Sequence, residues 1–197
     1  MNAQFFVPAA DRPAITITPA RGIDELIQAY VVRGVVFVGE QACPYAEEFD
    51  GNDLSATHLL AQVDGEPAGT LRIRWFADFA KAERAAVRPE YRRLGLCRRM
   101  TDFAAELAAR KGYALLYGSA QTRVLDYWLS VGFERLGKPH FHFSDHEYVP
   151  IVRRLRPSPT RLAAASPDRV LNRPEGEWDR PGVLDLSAER SPHAAAP

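Results

Sequence analysis

The sequence predicts a mixed α/β fold, in which helices cover both faces of one sheet. Short runs that alternate apolar and polar residues indicate strands, and longer runs with apolar residues three and four positions apart indicate helices. These runs follow each other in the order βα, ββ, β, α, β, α, ββ, which is typical of a mixed sheet with helices on its faces. The 197 residues suffice for one substantial core, so we expect a single domain.

The first half of the chain predicts four strands and one helix. AITITPA alternates like a short strand, THLLAQVDGEPAGTLRIRWF indicates a hairpin with DGEP as its turn, and FAKAERAAV is a strand that a proline stops. Between the first strand and the hairpin, GIDELIQAYVVRGVVF has the period of a helix packed on a core. One face of this helix collects its apolar residues: Ile23, Leu26, Ile27, Tyr30 and Val31.

The second half predicts two helices and three strands. CRRMTDFAAELAARKGY carries Met100, Phe103, Ala104 and Leu107 at helical spacing and ends at Gly112. ALLYGSA indicates a short buried strand, TRVLDYWLSVGF a helix stopped by a glycine, and HFHF and EYVPIVRRL the last two strands. The sheet should therefore have about six or seven strands.

The two ends of the chain differ in composition from its middle. Residues 1–13 are expected to be a flexible N-terminus, and residues 14–156 hold all the predicted elements of the domain. Residues 157–197 contain seven of the fifteen prolines among alanines and charges, which predicts a mostly irregular C-terminal tail. Trp178 and the VLDL of residues 183–186 are the apolar residues with which this tail could dock on the domain or on a partner.

Charge and cysteine content exclude several classes of protein. The 25 lysines and arginines balance 25 aspartates and glutamates, so no overall field attracts nucleic acid or an anionic membrane. Cys43 and Cys97 lie far apart with no secretory leader before them, which favours a reducing cytoplasm over a disulfide framework. No apolar run approaches the ~20 residues that span a bilayer. We therefore expect a soluble cytoplasmic protein.

The segment PEYRRLGLCRRM gathers arginines around Gly95, where a strand gives way to a helix. A tight loop at a helix start directs free backbone N–H groups and a positive dipole end at an anion, so the segment predicts a phosphate site. Neither the P-loop nor the dinucleotide-binding glycine pattern is present. Cys97, near the helix N-terminus, should have a thiol pKa below its usual value.

This loop resembles the R/Q-x-x-G-x-G/A signature of the GNAT superfamily of acyl-CoA-dependent N-acetyltransferases. Arg92 and Gly95 stand at its fixed positions, and Cys97 replaces the usual glycine or alanine. AQTRVLDYWLSVGF is similar to a later helix of the family, and RGVVFVGEQACPYAEEFDGNDLSATHLLA is similar to the first-helix region of its ElaA-like bacterial members. The family's V-x-P-x-Y-R spacing is matched by Val87, Pro89, Tyr91 and Arg92.

The resemblance implies a mostly antiparallel, twisted sheet that is splayed in the middle, with acetyl-CoA as co-substrate and no metal. The strand before the loop would pair with the pantetheine arm, and the loop amides and arginines would hold the pyrophosphate. The resemblance also places Gln121 and Trp128 at CoA-contacting positions of the later strand and helix. The implied CoA-binding residues are Ala85, Ala86, Val87, Arg92, Arg93, Leu94, Gly95, Leu96, Cys97, Arg98, Gln121 and Trp128.

Acetyl transfer requires a group that takes the proton of the amine. Glu83 stands four residues before Val87, where several family members have a catalytic glutamate, and two-residue alternation predicts that both residues share one strand face. An ion pair with Arg84 or Lys81 is the alternative role of this carboxylate.

The departing thiolate needs a proton. Trp128 occupies the place of the family's usual tyrosine, and an indole N–H is not a useful acid. Tyr127, one residue earlier, is the candidate acid. Water, CoA itself or another residue could also serve, and slow turnover is a further alternative.

The acceptor side is marked by an acidic segment, PYAEEFDGND, that borders the acceptor cleft in this fold. Carboxylates there would favour a cationic amine on a small molecule or a peptide, although polar loops are often acidic for solubility alone. The histidines near residue 142 have no third ligand at a diagnostic spacing, so no zinc site is expected. A homodimer is left open. The candidate substrate-binding residues are Glu40, Tyr45, Glu47, Asp50 and His58.

The function expected from the resemblance is transfer of an acetyl group from acetyl-CoA to a primary amine by direct attack in a ternary complex. One alternative is an acyl-homoserine-lactone synthase, whose family shares the RGVVF and acidic pattern. A second is a non-catalytic acyl-CoA sensor or interaction module, which the tryptophan at position 128 and the long tail make plausible.

Overall fold

The computed structural model describes residues 13–143 and 146–187, so the predicted N-terminal segment lies outside the described residues except for Pro13. These residues form one eight-stranded sheet with helices on both faces. The strands are β1 Ile15–Pro19, β2 Thr57–Val63, β3 Glu66–Trp75, β4 Ala80–Val87, β5 Leu115–Gln121, β6 Glu134–Arg135, β7 Phe141–Phe143 and β8 His146–Arg154. The helices are α1 Ile23–Arg33 with a π-helical extension Gly34–Glu40, α2 Tyr45–Glu48, α3 Leu96–Arg110, α4 Leu125–Ser130, α5 Asp168–Leu171 and α6 Val183–Ser187.

The strand order is β1-β2-β3-β4-β5-β8-β6, and β7 also pairs with β8. All neighbours are antiparallel except β4 and β5, which are parallel and pair through only two positions, Ala80 with Leu116 and Lys81 with Tyr117. Beyond these positions the two strands separate. The predicted mostly antiparallel, splayed sheet is therefore confirmed. Its eighth strand, β6, was not predicted because two residues show no alternation.

Helix α3 packs on the sheet with the face that its sequence predicts. Met100, Ala104 and Leu107 are buried against Leu71 and Ile73 of β3 in the main hydrophobic core. A single apolar stripe allows one orientation of this helix, because any rotation would expose these side chains. The helix ends just before Gly112, which adopts a left-handed backbone with φ of 94°.

Helix α1 lies on the opposite face, and its predicted apolar face is wrong. Ile23, Ile27 and Val31 are exposed, whereas Val32 and Arg33 on the other side of the helix are fully buried against β2, β3 and β4. The orientation follows from Arg33, whose guanidinium forms ion pairs under the helix that would be lost if the predicted face turned inward.

The C-terminal segment has little regular structure but packs on the domain. Trp178 is only 5% exposed and belongs to the main core, next to the C-terminal half of α3. Glu175 and Glu177 form ion pairs with Lys111 and Arg21 respectively. The apolar residues of α6, in contrast, are largely exposed. No helix within the described ranges is long and apolar enough to cross a membrane.

Candidate active site

The loop between β4 and α3 is shaped by two residues with left-handed backbones, Arg93 with φ of 71° and Gly95 with φ of 74°. Helix α3 begins directly after Gly95, so the backbone N–H groups of its first turn have no helical acceptor. Across the part of the chain that the structure describes, no group accepts a hydrogen bond from the N–H of any residue from 93 to 98. Six unpaired N–H groups at the positive end of a 15-residue helix can bind an anion.

The arginines of this loop are placed differently from one another. Arg92 donates to the carboxylate of Glu40, with Nη1 2.9 Å from Oε1, and its Nε donates to the carbonyl of Val87. Arg93 and Arg98 are exposed, and Arg98 lies 3.9 Å from Asp102. The hydrogen bond from Arg92 lowers the pKa of Glu40. Glu40, a predicted substrate-binding residue, therefore neutralises an arginine of the loop between β4 and α3.

A β-bulge divides β4 into two registers. Arg84 has a left-handed backbone with φ of 53°, and the register slips there, so that Glu83 pairs with Arg72 while Ala86 pairs with Thr70. Partner residues in antiparallel strands point to the same face, and residues two apart on β3 also share a face. Because Ala86 packs on the α1 side of the sheet, Glu83 also faces α1.

The bulge reverses the predicted orientation of Glu83 relative to Val87. Ala86 packs on the α1 side against Val32 and Val36, whereas Val87 packs on the α3 side. The prediction that Glu83 and Val87 share a face is wrong, because the extra residue of the bulge breaks the alternation. Residues 82–87 have no register partner in β5, so their backbone forms the open edge of the splay.

The carboxylate of Glu83 is largely buried between two cations. Its Oε1 lies 2.8 Å from Nη2 of Arg72 and its Oε2 lies 2.6 Å from Nζ of Lys81. The alternative ion pair with Lys81 is therefore formed, while Arg84 turns away to the backbone carbonyl of Glu47. The role of Glu83 as a base stays a prediction, and it would require this carboxylate to take a proton while paired.

Two fully buried arginines organise the α1 side of the sheet. Nη1 of Arg33 lies 2.6 Å from Oδ1 of Asp53, and Nη1 of Arg72 lies 2.8 Å from the same oxygen. Arg33 also pairs with Glu48, and Arg72 pairs with Asp50. The sequence reasoning missed both arginines. Their signal is a lone cation within an apolar helix, AYVVRGVVF, and arginines that alternate with apolar residues in a strand, TLRIRWF.

These arginines change the meaning of the acidic segment. Hydrogen bonds from Arg72 hold the pKa of Asp50 well below its usual range, and Arg84 also pairs with this carboxylate. Burial raises the pKa of Glu48, against the opposing effect of Arg33. The segment therefore presents little uncompensated negative charge, which weakens the expected preference for a cationic amine.

Two further predicted acceptor residues, Tyr45 and Glu47, are exposed on α2. The ring of Tyr45 lies 4.9 Å from that of Phe49. Glu47 contributes its backbone carbonyl to Arg84.

His58 is buried beneath this network, where it lines an open cavity of about 240 Å³ together with Asp53 and Leu54. Its Nε2 donates to the backbone carbonyl of Asp53 at 3.0 Å, and its ring meets Tyr30 edge-on. Burial lowers the pKa of His58, so the ring is neutral at pH 7. Its position favours a structural role in fixing Asp53.

Tyr127 reaches the start of α3, where it contacts Cys97. Burial raises the pKa of the Cys97 thiol, so the prediction of a lowered pKa is wrong: desolvation outweighs the hydrogen bonds with Tyr127 and Thr101. Burial and the contact with Cys97 also raise the pKa of Tyr127. Trp128 instead packs edge-on against Phe133 at 5.5 Å and borders the main core. The tyrosine that adjoins the loop between β4 and α3 is therefore Tyr127.

Gln121 lies at the end of β5, beside the splay. Its Nε2 donates to the hydroxyl of Tyr148 at 2.9 Å, and its Oε1 accepts from Arg123 at 2.6 Å. Among the described residues, no three His, Cys, Asp or Glu side chains come together as a group that could hold a metal ion. His140 pairs with Glu147 at 3.1 Å.

Comparisons with known proteins agree with this geometry. Residues 24–133 match the model of the Acetyltransferase (GNAT) family. A Bacillus subtilis (strain 168) protein, to which acetyltransferase activity is assigned by inference, is 30% identical to this chain over 112 residues. These residues cover 55% of this chain and 76% of that protein. An acyl-CoA N-acyltransferase structure from Pseudomonas aeruginosa has a TM-score of 0.64 and 27% identity, covering 72% of this chain and 99% of that chain. Escherichia coli ElaA has the same fold, with a TM-score of 0.63 and 20% identity over 72% of this chain and 99% of its own. The chain belongs to the GNAT family of acyl-CoA-dependent acetyltransferases, which confirms the resemblance of its loop.

Proposed function

We propose that this protein is an N-acetyltransferase that moves the acetyl group of acetyl-CoA to a primary amine by direct attack in a ternary complex. The observation that carries the proposal is the row of unpaired N–H groups in residues 93–98, which lies beside the open edge of β4. Residues 14–156 would form the catalytic domain and residues 157–197 an appended segment. Both cysteines are free thiols, which suits the reducing cytoplasm that we propose as its location.

The residues of the loop and of β4 fit the two ends of acetyl-CoA. The pyrophosphate would accept hydrogen bonds from the amides of residues 93–98 and from the guanidinium groups of Arg93 and Arg98. The pantetheine amides would pair with backbone groups of residues 85–87 at the open edge of the sheet. Bound acetyl-CoA supplies a thioester as the acyl donor. The role of the chain is to orient that thioester and to keep water from it.

Two side chains are suited to move protons. Glu83 would accept the proton of the attacking amine, directly or through water, while Arg72 and Lys81 hold its carboxylate in place. Tyr127 would donate a proton to the departing thiolate. Its hydroxyl is protonated at neutral pH, and burial and the contact with Cys97 raise its pKa, which makes it a weaker acid than an exposed tyrosine.

Calorimetric titration with acetyl-CoA tests the loop. The wild-type chain is expected to bind, and Arg93→Ala and Arg98→Ala should each weaken binding about tenfold, because each removes a charge-assisted hydrogen bond to phosphate. Arg156→Ala removes an exposed arginine after β8 and is the matched control, with unchanged affinity. A wild-type chain that binds no acetyl-CoA would refute the proposal.

A screen of amines for CoA release tests the chemistry. Glu83→Gln and Tyr127→Phe should each lower turnover by roughly 10²- to 10⁴-fold while acetyl-CoA affinity is retained. Glu134→Gln, at an exposed ion pair with Arg154, should leave turnover unchanged. Unchanged turnover in Glu83→Gln would remove this residue as the base. Binding of acetyl-CoA without turnover on any amine would favour the sensor alternative.

A further inference from the structure

The outward side of α1 carries an apolar row that the described residues leave uncovered. We call this row the α1 stripe; it consists of Ile23, Ile27, Val31, Val35 and Val38, which are 67%, 51%, 49%, 43% and 36% exposed. A helix that packs on a sheet ordinarily turns charged or polar residues to solvent. Here the exposed side chains of the helix between Asp24 and Gly39 are all aliphatic. The helix is therefore apolar on two opposite sides.

The stripe continues beyond the helix. Leu54, in the short turn before β2, is 92% exposed. Leu54 and Ile23 line the same open cavity of about 240 Å³ at the N-terminal end of α1. A contiguous apolar surface of this length is typical of an interaction site.

Gly34, within the stripe, points to a close approach from outside. Its φ of −59° is ordinary for a right-handed helix, and a Cβ added there would meet no atom within 4 Å. The fold of the described residues therefore does not require a glycine at this position, and it has room for a larger side chain. Glycine is nevertheless present, although it is unfavourable in a helix. The free space is the kind that a packed partner helix uses.

We propose that the α1 stripe is the interface of a homodimer, in which α1 helices of two copies pack antiparallel about a twofold axis near Val31 and Gly34. β-branched residues spaced four apart form a ridge that fits the groove beside an identical ridge. A twofold axis pairs one patch with itself, so a single stripe suffices. The antiparallel arrangement brings Val38 of the second copy over Ile23 and Leu54, where it covers the open cavity.

The surroundings of the stripe favour a second copy over a membrane. Asp24 and Glu25 flank one end and Glu47 flanks the other, and these carboxylates would be repelled by anionic lipid headgroups, whereas Glu40 is paired with Arg92. The stripe is about 22 Å long at 1.5 Å per residue. One helix pair of this length buries less than the ~800 Å² per partner of a standard interface. The dimer should therefore be reversible, with micromolar affinity.

Sedimentation velocity of the full chain over a range of concentrations tests the dimer. The wild-type chain is expected to shift from monomer to dimer as its concentration rises, and Ile27→Glu with Val31→Glu should remain monomeric throughout. Val183→Glu places the same charge on an exposed aliphatic position of α6 and should dimerise like the wild type.

A second variant keeps the test valid if the double glutamate variant folds poorly. Gly34→Leu favours the helix of the monomer but fills the space between the two helices, so it should weaken the dimer at least tenfold without loss of thermal stability. A wild-type chain that stays monomeric, or a dimer insensitive to both sets of variants, would overturn the proposal. Stripe-dependent binding to vesicles of anionic phospholipid would overturn it in favour of a membrane.

Discussion

Replacing Arg72 by methionine is expected to lower the free energy of unfolding by about 3 kcal/mol at pH 7, at the lower end of the cost of breaking a buried ion pair. Arg72 is fully buried and pairs with Asp50, Asp53 and Glu83. Each of these carboxylates keeps a second cation in the variant, Arg84, Arg33 or Lys81, but two of these cations are shared with Glu48. Three cations then face four carboxylates, so the fold retains one uncompensated charge in a poorly solvated site. Urea unfolding, followed by far-UV circular dichroism, measures the loss.

The pH dependence separates this charge effect from the loss of side-chain packing. Hydrogen bonds from Arg72 lower the pKa of Asp50; burial alone would raise the pKa of Asp53, but Arg33 and Arg72 lower it overall. Carboxylates with a lowered folded-state pKa add stability above their unfolded value of 3.8, and this stability is lost as pH falls. The difference between wild type and variant should therefore stay nearly constant from pH 7 to about pH 5 and shrink as the pH falls below the unfolded value of 3.8.

Arg154→Met is the control for Arg72. Its guanidinium pairs with Glu134 in a largely exposed ion pair, and such pairs contribute at most about 1 kcal/mol. Equal losses in the two variants, or a loss in Arg72→Met that does not change with pH, would contradict the assigned role of the buried network.

Replacing Trp178 by alanine is expected to lower the free energy of unfolding by about 3 to 5 kcal/mol, the cost of removing a large buried side chain. The indole is part of the main core, and the guanidinium of Arg110 lies over its ring at 5.0 Å from the centroid. Arg110 also pairs with Asp179, and its Nε is buried without an acceptor among the described residues. The variant would leave a cavity and would also remove the aromatic ring over which the guanidinium of Arg110 lies. Urea unfolding should be followed by circular dichroism, because the substitution itself changes the tryptophan fluorescence of the protein.

Leu184→Ala is the matched control for Trp178, because it truncates an exposed apolar residue of the same segment and should change stability by less than about 0.5 kcal/mol. Acetyl-CoA affinity should be retained in Trp178→Ala below its unfolding temperature, since Trp178 packs near the C-terminal half of α3 and the loop precedes its first turn. A Trp178→Ala variant as stable as the control would show that the segment is not part of the core.

The sequence predicts the fold well where the spacing of apolar residues allows only one buried face. Helix α3 has a single apolar stripe, and its buried face follows from Met100, Ala104 and Leu107. Helix α1 is apolar on two sides, so periodicity cannot choose between them. The choice depends on Arg33 and on carboxylates 15 and 20 residues further along the chain, Glu48 and Asp53.

The candidate site could be predicted only in part, for a similar reason. The positions of Arg92 and Gly95 follow from local spacing, because a loop at a helix start needs only nearby residues. The face of Glu83 depends on the bulge at Arg84, and no glycine marks that left-handed residue. The burial of Arg72 depends on Asp50 and Asp53, which follow α2 and which the strand sequence does not reveal.

The bulge at Arg84 makes the length of β4 critical. Residues before it place Glu83 between Arg72 and Lys81, and residues after it place Ala86 against α1 and Val87 against α3. Removing one residue at the bulge would turn one half of the strand to the opposite face. Either the ion pairs of Glu83 or the packing of Ala86 and Val87 would then be lost. The short strand β7, which pairs only with β8 among the described strands, carries no such double constraint. Insertions and deletions in this protein should therefore be tolerated at its sheet edges and excluded from the middle of β4.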